Sequence, residues 1–208
     1  MKKINQYIVE KIKLSNDRFV GKNNGYEYVD LGLKSGTIWA KYNVGAGDFD
    51  ESGYYVRWGE TEEVKNPNHS NYKFTCSNGF TKYNREDNIR FLDPEDDIAT
   101  VIMGDKWCTP TREQFKELFN LEGEWVENYN NTNESGLLFH GNNGNELFFR
   151  TDRYLPESCR LWINECTSSP YGTAYVAYAE LDGPGVDVFI SEVTSRTLQI
   201  PVRAVLKK

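Results

Sequence analysis

From residue 124 onward the chain is a succession of short segments in which apolar and polar residues alternate: "EWVENY", "GLLFHGNNGNELFF", "LWINE", "AYVAYAEL", "VDVFIS" and "QIPVRAVL". A period of two sends successive side chains to opposite faces of a strand, so each segment predicts a β-strand with one face in a core. Asn143-Gly144 is a pair that favours a two-residue hairpin turn, because both central positions need positive φ. In "DVFISEVTSRT" (187–197), alternation sends Val188 and Ile190 inward and Asp187, Phe189 and Ser191 outward. A Phe set among Asp, Ser, Glu and Thr on an outer face is either untidy solvent surface or a surface that touches something.

The earlier half is mixed. "YEYVDLGLKSGTIWAKYNV" (26–44) predicts two strands around a turn at Lys34-Ser35-Gly36, and "GYYVRWGE" a third short strand. Residues 60–92 are polar and irregular, and the expectation is a long loop packed by its own aromatics, Tyr72, Phe74, Phe80 and Tyr83. Two helices are predicted near 94–103 and 112–120. In the first, Asp93 is the N-cap, Pro94 opens the helix, and Glu95, Asp96 and Asp97 favour the positive end of its dipole. Ile98, Val101 and Ile102 form its buried stripe, and Gly104 ends it. In the second, Thr111 and Gln114 form a capping box, and Phe115, Leu118 and Phe119 face inward. Strands, two helices and more strands make an α+β arrangement. Ile4, Ile8 and Ile12 recur every four residues, so residues 1–22 are expected to form a helical arm and 23–208 one ligand-binding domain.

Composition narrows the function. A net charge of −7 in 208 residues argues against nucleic acid, whose phosphates need a basic surface. No apolar run approaches the ~18 residues of a membrane span, and "MKKINQYIVEKIKLSN" lacks a signal-peptide apolar core. Cys76, Cys108, Cys159 and Cys166 form no C-x-x-C pair and are expected to be thiols. His69 and His140 stand in turn-rich stretches with no local nucleophile. "GETEE" (59–63) reads as a solvated loop, and capping accounts for the acidic run at 93–97 without a metal. No phosphate-binding loop, dinucleotide fingerprint or zinc motif is present. The expectation is a binding protein with no catalytic residue, metal ligand or cofactor. Trp39, Trp58 and Trp107, each near Gly or Pro, are expected to be scaffold.

Several of these segments taken together resemble one family. "YVDLGLKSGTIWAKYNVGA", "GYYVRWGETEE", "DDIATVIMGDKWCTPTREQFKELF", "LWINECTSSPYGTAYVAYAEL" and "IPVRAV" are similar, in order, to motifs of the Fibrobacter succinogenes major paralogous domain family, found in gut Bacteroidetes. The chain departs from the family pattern at Cys108-Thr109-Pro110-Thr111, at "FRTDRYLP" and at Trp162-Ile163-Asn164. The resemblance implies a C-type-lectin-like fold, with two helices flanking a small antiparallel sheet and a ligand face on the late strands. The same scaffold carries the variable proteins of diversity-generating retroelements, including phage tail-fibre tips. The implied ligand face uses Trp162, Asn164, Tyr171, Tyr175, Asp187, Phe189, Ser191, Thr194 and Arg196. The implied role is receptor binding by a phage or prophage protein, in the virion or the producing cell's cytoplasm, or alternatively at the cell surface. Its partner would be a bacterial surface protein or glycan, with the N-terminal helix docking to a fibre and no contact with nucleic acid or membrane. The alternatives are a formylglycine-generating-type oxidase or another enzyme on that fold, and a structural fibre module.

Overall fold

The computed structural model describes residues 20–167, 172–183 and 185–207. The N-terminal segment with Ile4, Ile8 and Ile12, and Tyr171, lie outside them. The strands in chain order are β1 (Val20–Asn23), β2 (Tyr26–Asp30), β3 (Ile38–Ala40), β4 (Thr75–Cys76), β5 (Gly79–Phe80), β6 (Trp107–Cys108), β7 (Glu122–Val126), β8 (Gly136–His140), β9 (Glu146–Arg150), β10 (Ser158–Cys166), β11 (Thr173–Asp182), β12 (Gly185–Ser195) and β13 (Val205–Leu206). They form four sheets, ordered β1-β2-β3-β13-β6, β4-β5, β7-β8-β9 and β10-β11-β12, with antiparallel pairing throughout.

This overturns the expected α+β, C-type-lectin-like arrangement. The described chain is mostly β, 38% strand against 12% helix, with one sheet curled into a half-barrel and no pair of helices flanking a sheet. The helices are too short to flank one, since α1 spans only Ile98–Met103 and α2 only Arg112–Leu118. The physical cause is at Asp97. Residues Pro94–Asp96 make only a 3₁₀ turn, Asp97 is extended (φ −97, ψ 105), and α1 begins after it. Asp93 makes no side-chain cap bond, while the Asp97 carboxylate accepts from Ala99 N at 3.0 Å. The same buried carboxylate accepts from Thr109 N (2.9 Å) and Thr109 Oγ1 (2.7 Å), tying the head of α1 to the strand after it. Four acidic residues in the five positions before an apolar stripe look like one capped helix, but a partner twelve residues downstream breaks it into two pieces.

The remaining expectations hold in part: in α1 Ile98 is buried and Ile102 half-buried, but Val101 of the expected buried stripe is 50% exposed. Thr111 and Gln114 form the capping box of α2, and Phe115 and Leu118 are buried. Gly36 N donates to Leu33 O in the turn between β2 and β3. Asn143-Gly144 does sit in a hairpin, but His140 pairs with Glu146, so the loop has five residues rather than two. Its tip is anchored instead of free: the side chains of Asn143 and Asn145 each donate to Asp30 O at 2.8 Å. "GYYVRWGE" is not a strand, since only Val56 pairs, in an isolated bridge with Ile200. The 60–92 loop packs as expected, with Tyr72, Phe74 and Tyr83 each 4% exposed or less. "GETEE" is not all solvated: Glu60 is buried against Arg57.

Residues 200–206 hold the first half of the chain together. Ile200 N donates to Val56 O, and Val202 O and Ala204 O accept from Val44 N and Ala40 N. Val205 then pairs with both Trp39 and Cys108, which places β13 between β3 and β6. Pro201 supplies only a carbonyl, to Trp162 N. Trp39, Trp58 and Trp107 are at most 1% exposed, as scaffold residues should be.

Candidate functional site

The sheet β10-β11-β12 is a wall between two cores. Along β10 and β11, Trp162, Cys166, Ala174 and Val176 point into a core built with Trp58, Tyr72, Phe74 and Tyr83. The alternate residues Cys159, Leu161, Ile163, Tyr175, Ala177 and Ala179 point into a second core with Trp39, Phe115 and Phe149. Strand period two produces this division. On β12 the two faces differ. Val186, Val188 and Ile190 pack on the second core, half-buried. The other face, with Asp187, Phe189 and Ser191, runs past the edge of the first core, and none of the three belongs to it. Phe189 is 42% exposed and lies directly opposite Tyr178 in the register, the rings stacked at 4.9 Å with 19° between planes. A pair of this kind contributes about 0.5–1 kcal/mol, which supports one face of the ring and leaves the other wet.

At the Gly172–Arg196 end of this sheet lies a cavity of about 820 Å³, lined among others by Phe80, Tyr83, Arg85, Arg90, Cys166 and Arg196. Arg196 is 1% exposed. Its guanidinium carbon lies 4.0 Å from the centroid of Phe80, with Trp58 at 5.6 Å and Tyr72 at 5.8 Å. Arg90 and Arg112 both pair with the buried carboxylate of Glu165, and Arg112 covers the ring of Tyr175 at 4.3 Å. Burial pushes the hydroxyls of Tyr72 and Tyr83 well above the usual phenol range, so both stay neutral donors.

The acidic run is not the first turn of a helix, and its centre is filled by a cation. Lys82 Nζ lies 2.6 Å from Asp93, 3.5 Å from Glu95 and 2.6 Å from Asp96. Asp96 also takes Lys73 and the Tyr83 hydroxyl. Burial raises the Asp96 carboxyl, but the bonds from Lys73, Lys82 and Tyr83 outweigh it and hold the group below the ordinary carboxylate range. These three carboxylates are close enough to share a metal, and the Lys82 ammonium lies among them.

The residues expected to form one ligand face are distributed over the two cores and the overhang. Asp187 and Phe189 are exposed on the overhang as expected, while Ser191 and Thr194 are half-buried there and hydrogen-bond to each other at 3.2 Å. Trp162 and Tyr175 are instead buried, at 1% and 7%, on opposite sides of the wall. The loop 60–92 covers one side, and α2 with β8 and β9 covers the other. Asn164 is half-buried where the β10–β11 register shifts; its backbone bonds Pro110 and Leu92, and its Oδ1 has no hydrogen-bond partner among the described residues. Arg196 is buried at the cavity. Tyr178, Phe80 and Tyr83 were missed as neighbours of a site. Tyr178 has the parity of Trp162 in its own strand, but only the register reveals that it meets Phe189.

Cys159 and Cys166 occupy opposite cores, seven positions apart on one strand. At ~3.3 Å per residue that is roughly 20 Å, which prevents this pair from sharing a copper ion. All four thiols are free. Burial pushes Cys108 up to about 11 and Cys159 up to about 12, and raises Cys166; Cys76 is exposed. Under native conditions at pH 8 a thiol reagent should therefore label Cys76 rapidly and the other three only after denaturation. Mass spectrometry of the labelled peptides checks this, and fast native labelling of Cys159 would show that the second core opens. No helix among the described residues is long and apolar enough to cross a membrane. No family model, curated protein or solved structure matches the chain.

Proposed function

We propose that this chain is a non-enzymatic recognition domain whose contacts are made by the overhanging face of β12. The observation that carries the proposal is Phe189: a 42%-exposed aromatic ring, flanked by polar residues, on a strand whose opposite face is anchored to a core. A rigid strand with an aromatic anchor and short polar neighbours offers contact area at low entropy cost, as paratopes do. Because the fold is not the expected two-helix arrangement, the proposal rests on this strand and not on a borrowed scaffold. The resemblance of its motifs to the Fibrobacter succinogenes paralogous domains supplies the setting we propose: a variable or receptor-binding protein of a phage or prophage, meeting a bacterial surface protein or glycan.

Simultaneous substitutions at Asp187, Phe189 and Ser191 test it. Arg196 is left out because it is buried. Each exposed change should cost within about 0.5 kcal/mol, and loss of the Phe189–Tyr178 stack about 0.5–1 kcal/mol. Melting should therefore barely move, while adhesion to a panel of gut bacterial cells changes from member to member. General unfolding of the library would make the face part of the core. Folded members that all adhere alike would leave a structural fibre module as the better reading.

A further inference from the structure

We propose that Arg196 anchors a binding site for a small organic carboxylate, separate from the β12 face, so that either can fail without the other. The guanidinium has one satisfied corner: Nη1 donates to Tyr83 O at 2.8 Å. Its Nε and Nη2 are buried and have no hydrogen-bond partner among the described residues. These two atoms form the side-on edge that matches both oxygens of a carboxylate. The protein uses that same edge twice elsewhere. Arg57 holds Glu60 through Nε and Nη2, both at 2.6 Å, and Arg112 holds Glu165 through the same two nitrogens. Arg203, also buried, satisfies its nitrogens on Asn43, Ala40, Lys41 and Phe148. Arg196 has the same edge, shielded from solvent, and no carboxylate on it among the described residues.

A buried donor without an acceptor is costly, and native proteins rarely keep two on one group. The aromatic rings around Arg196 ease the charge by cation–π attraction and fix the plane of the fork, but ring faces do not satisfy its in-plane N–H groups. The space beside it suits a ligand. Arg196 lines the cavity of about 820 Å³, inside the roughly 300–1,000 Å³ range of small-molecule sites. The lining holds Arg85, Arg90 and Arg196 against Glu86, in a chain of net charge −7. Arg90, itself partly exposed, is paired with Glu165 at 2.7 Å, a carboxylate it shares with Arg112. One planar fork with one uncompensated buried cation fits a singly charged planar anion better than a phosphate or sulfate dianion.

The test observes the Arg196 Nε–H resonance in ¹⁵N-edited NMR of the full chain, assigned with Arg196→Lys. Glucuronate and N-acetylglycine are titrated beside their neutral amides, glucuronamide and N-acetylglycinamide, and beside sulfate. At least one carboxylate should shift the resonance saturably and bind at least about tenfold tighter than its amide. Whichever carboxylate binds tighter separates a sugar acid from a peptide-like carboxylate. Arg196→Lys keeps the charge but not the fork, and should weaken binding by at least about tenfold. If that variant fails to fold, the resonance is assigned by through-bond correlation to the Arg196 backbone, and the unaltered chain still decides. The proposal is overturned if neither carboxylate moves the resonance at about 10 mM, if the amides bind equally, or if sulfate binds as tightly.

Discussion

Asp97→Ala should destabilise the fold by about 3 kcal/mol or more, measured by denaturant unfolding at neutral pH. The carboxylate accepts from Ala99 N, Thr109 N and Thr109 Oγ1, all in the interior. Removing it strands several donors at once and releases the head of α1 from the segment after it. The variant also has a pH signature. Burial is the largest influence on Asp97 and raises its carboxyl above the ordinary value, despite the bonds from Thr109 and Ala99. A carboxyl raised on folding binds its proton more tightly in the native state, so the native protein gains stability from this group as pH falls from its raised range to about 3.9. The gap between wild type and Asp97→Ala should therefore widen toward acid over that window. Asp96 has the opposite sign: held low by its lysines, it contributes stability that is lost as pH falls through its depressed value. A gap that narrows on acidification would mean that Asp97 is better served as an ion than as an acid.

Trp58→Ala should cost about 3–5 kcal/mol. Trp58 and Trp162 form a reciprocal stitch: Trp58 Nε1 donates to Ile163 O and Trp162 Nε1 donates to Val56 O, each at 2.8 Å. Each indole thus satisfies a carbonyl beside the other while filling the same core, and Trp58 also meets Tyr83 edge-on at 5.0 Å. Truncation removes the ring, leaves a cavity and orphans a buried carbonyl. Trp58→Phe keeps most of the volume and should cost about 1–3 kcal/mol, chiefly for the orphaned Ile163 O. The double variant Trp58→Ala/Trp162→Ala should fall short of the sum, because the two side chains share one cavity. A Trp58→Ala protein of unchanged stability would show that residue 58 is surface.

What was legible in the sequence is what a few neighbouring residues decide. The Thr111–Gln114 box lies within four positions, and the alternation of "VDVFIS" is intrinsic to its strand. The expected α+β fold failed where distant partners decide. Asp97 is pulled out of helix geometry by Thr109, and β3, β6 and β13 are too short to show a period. Which outward face stays wet was illegible for the same reason. Trp162 and Phe189 point to the same side of one sheet, yet only the loop 60–92 determines that the first is covered and the second is not. Arg196 looked like one more polar residue on a strand end, and its isolation emerges only when the aromatics of that loop close over it.

The position of β13 has a consequence for how the protein is made. Among the described residues, segments 38–56 and 107–108 are joined through residues 200–206, so during vectorial synthesis they wait for roughly a hundred residues or more before their partners exist. Contacts of such separation make folding slow, since loop-closure entropy is lost before the contacts repay it. Until then one edge of β3 has no partner strand, which makes the nascent chain a natural client for chaperones and its early half prone to aggregate when expressed alone.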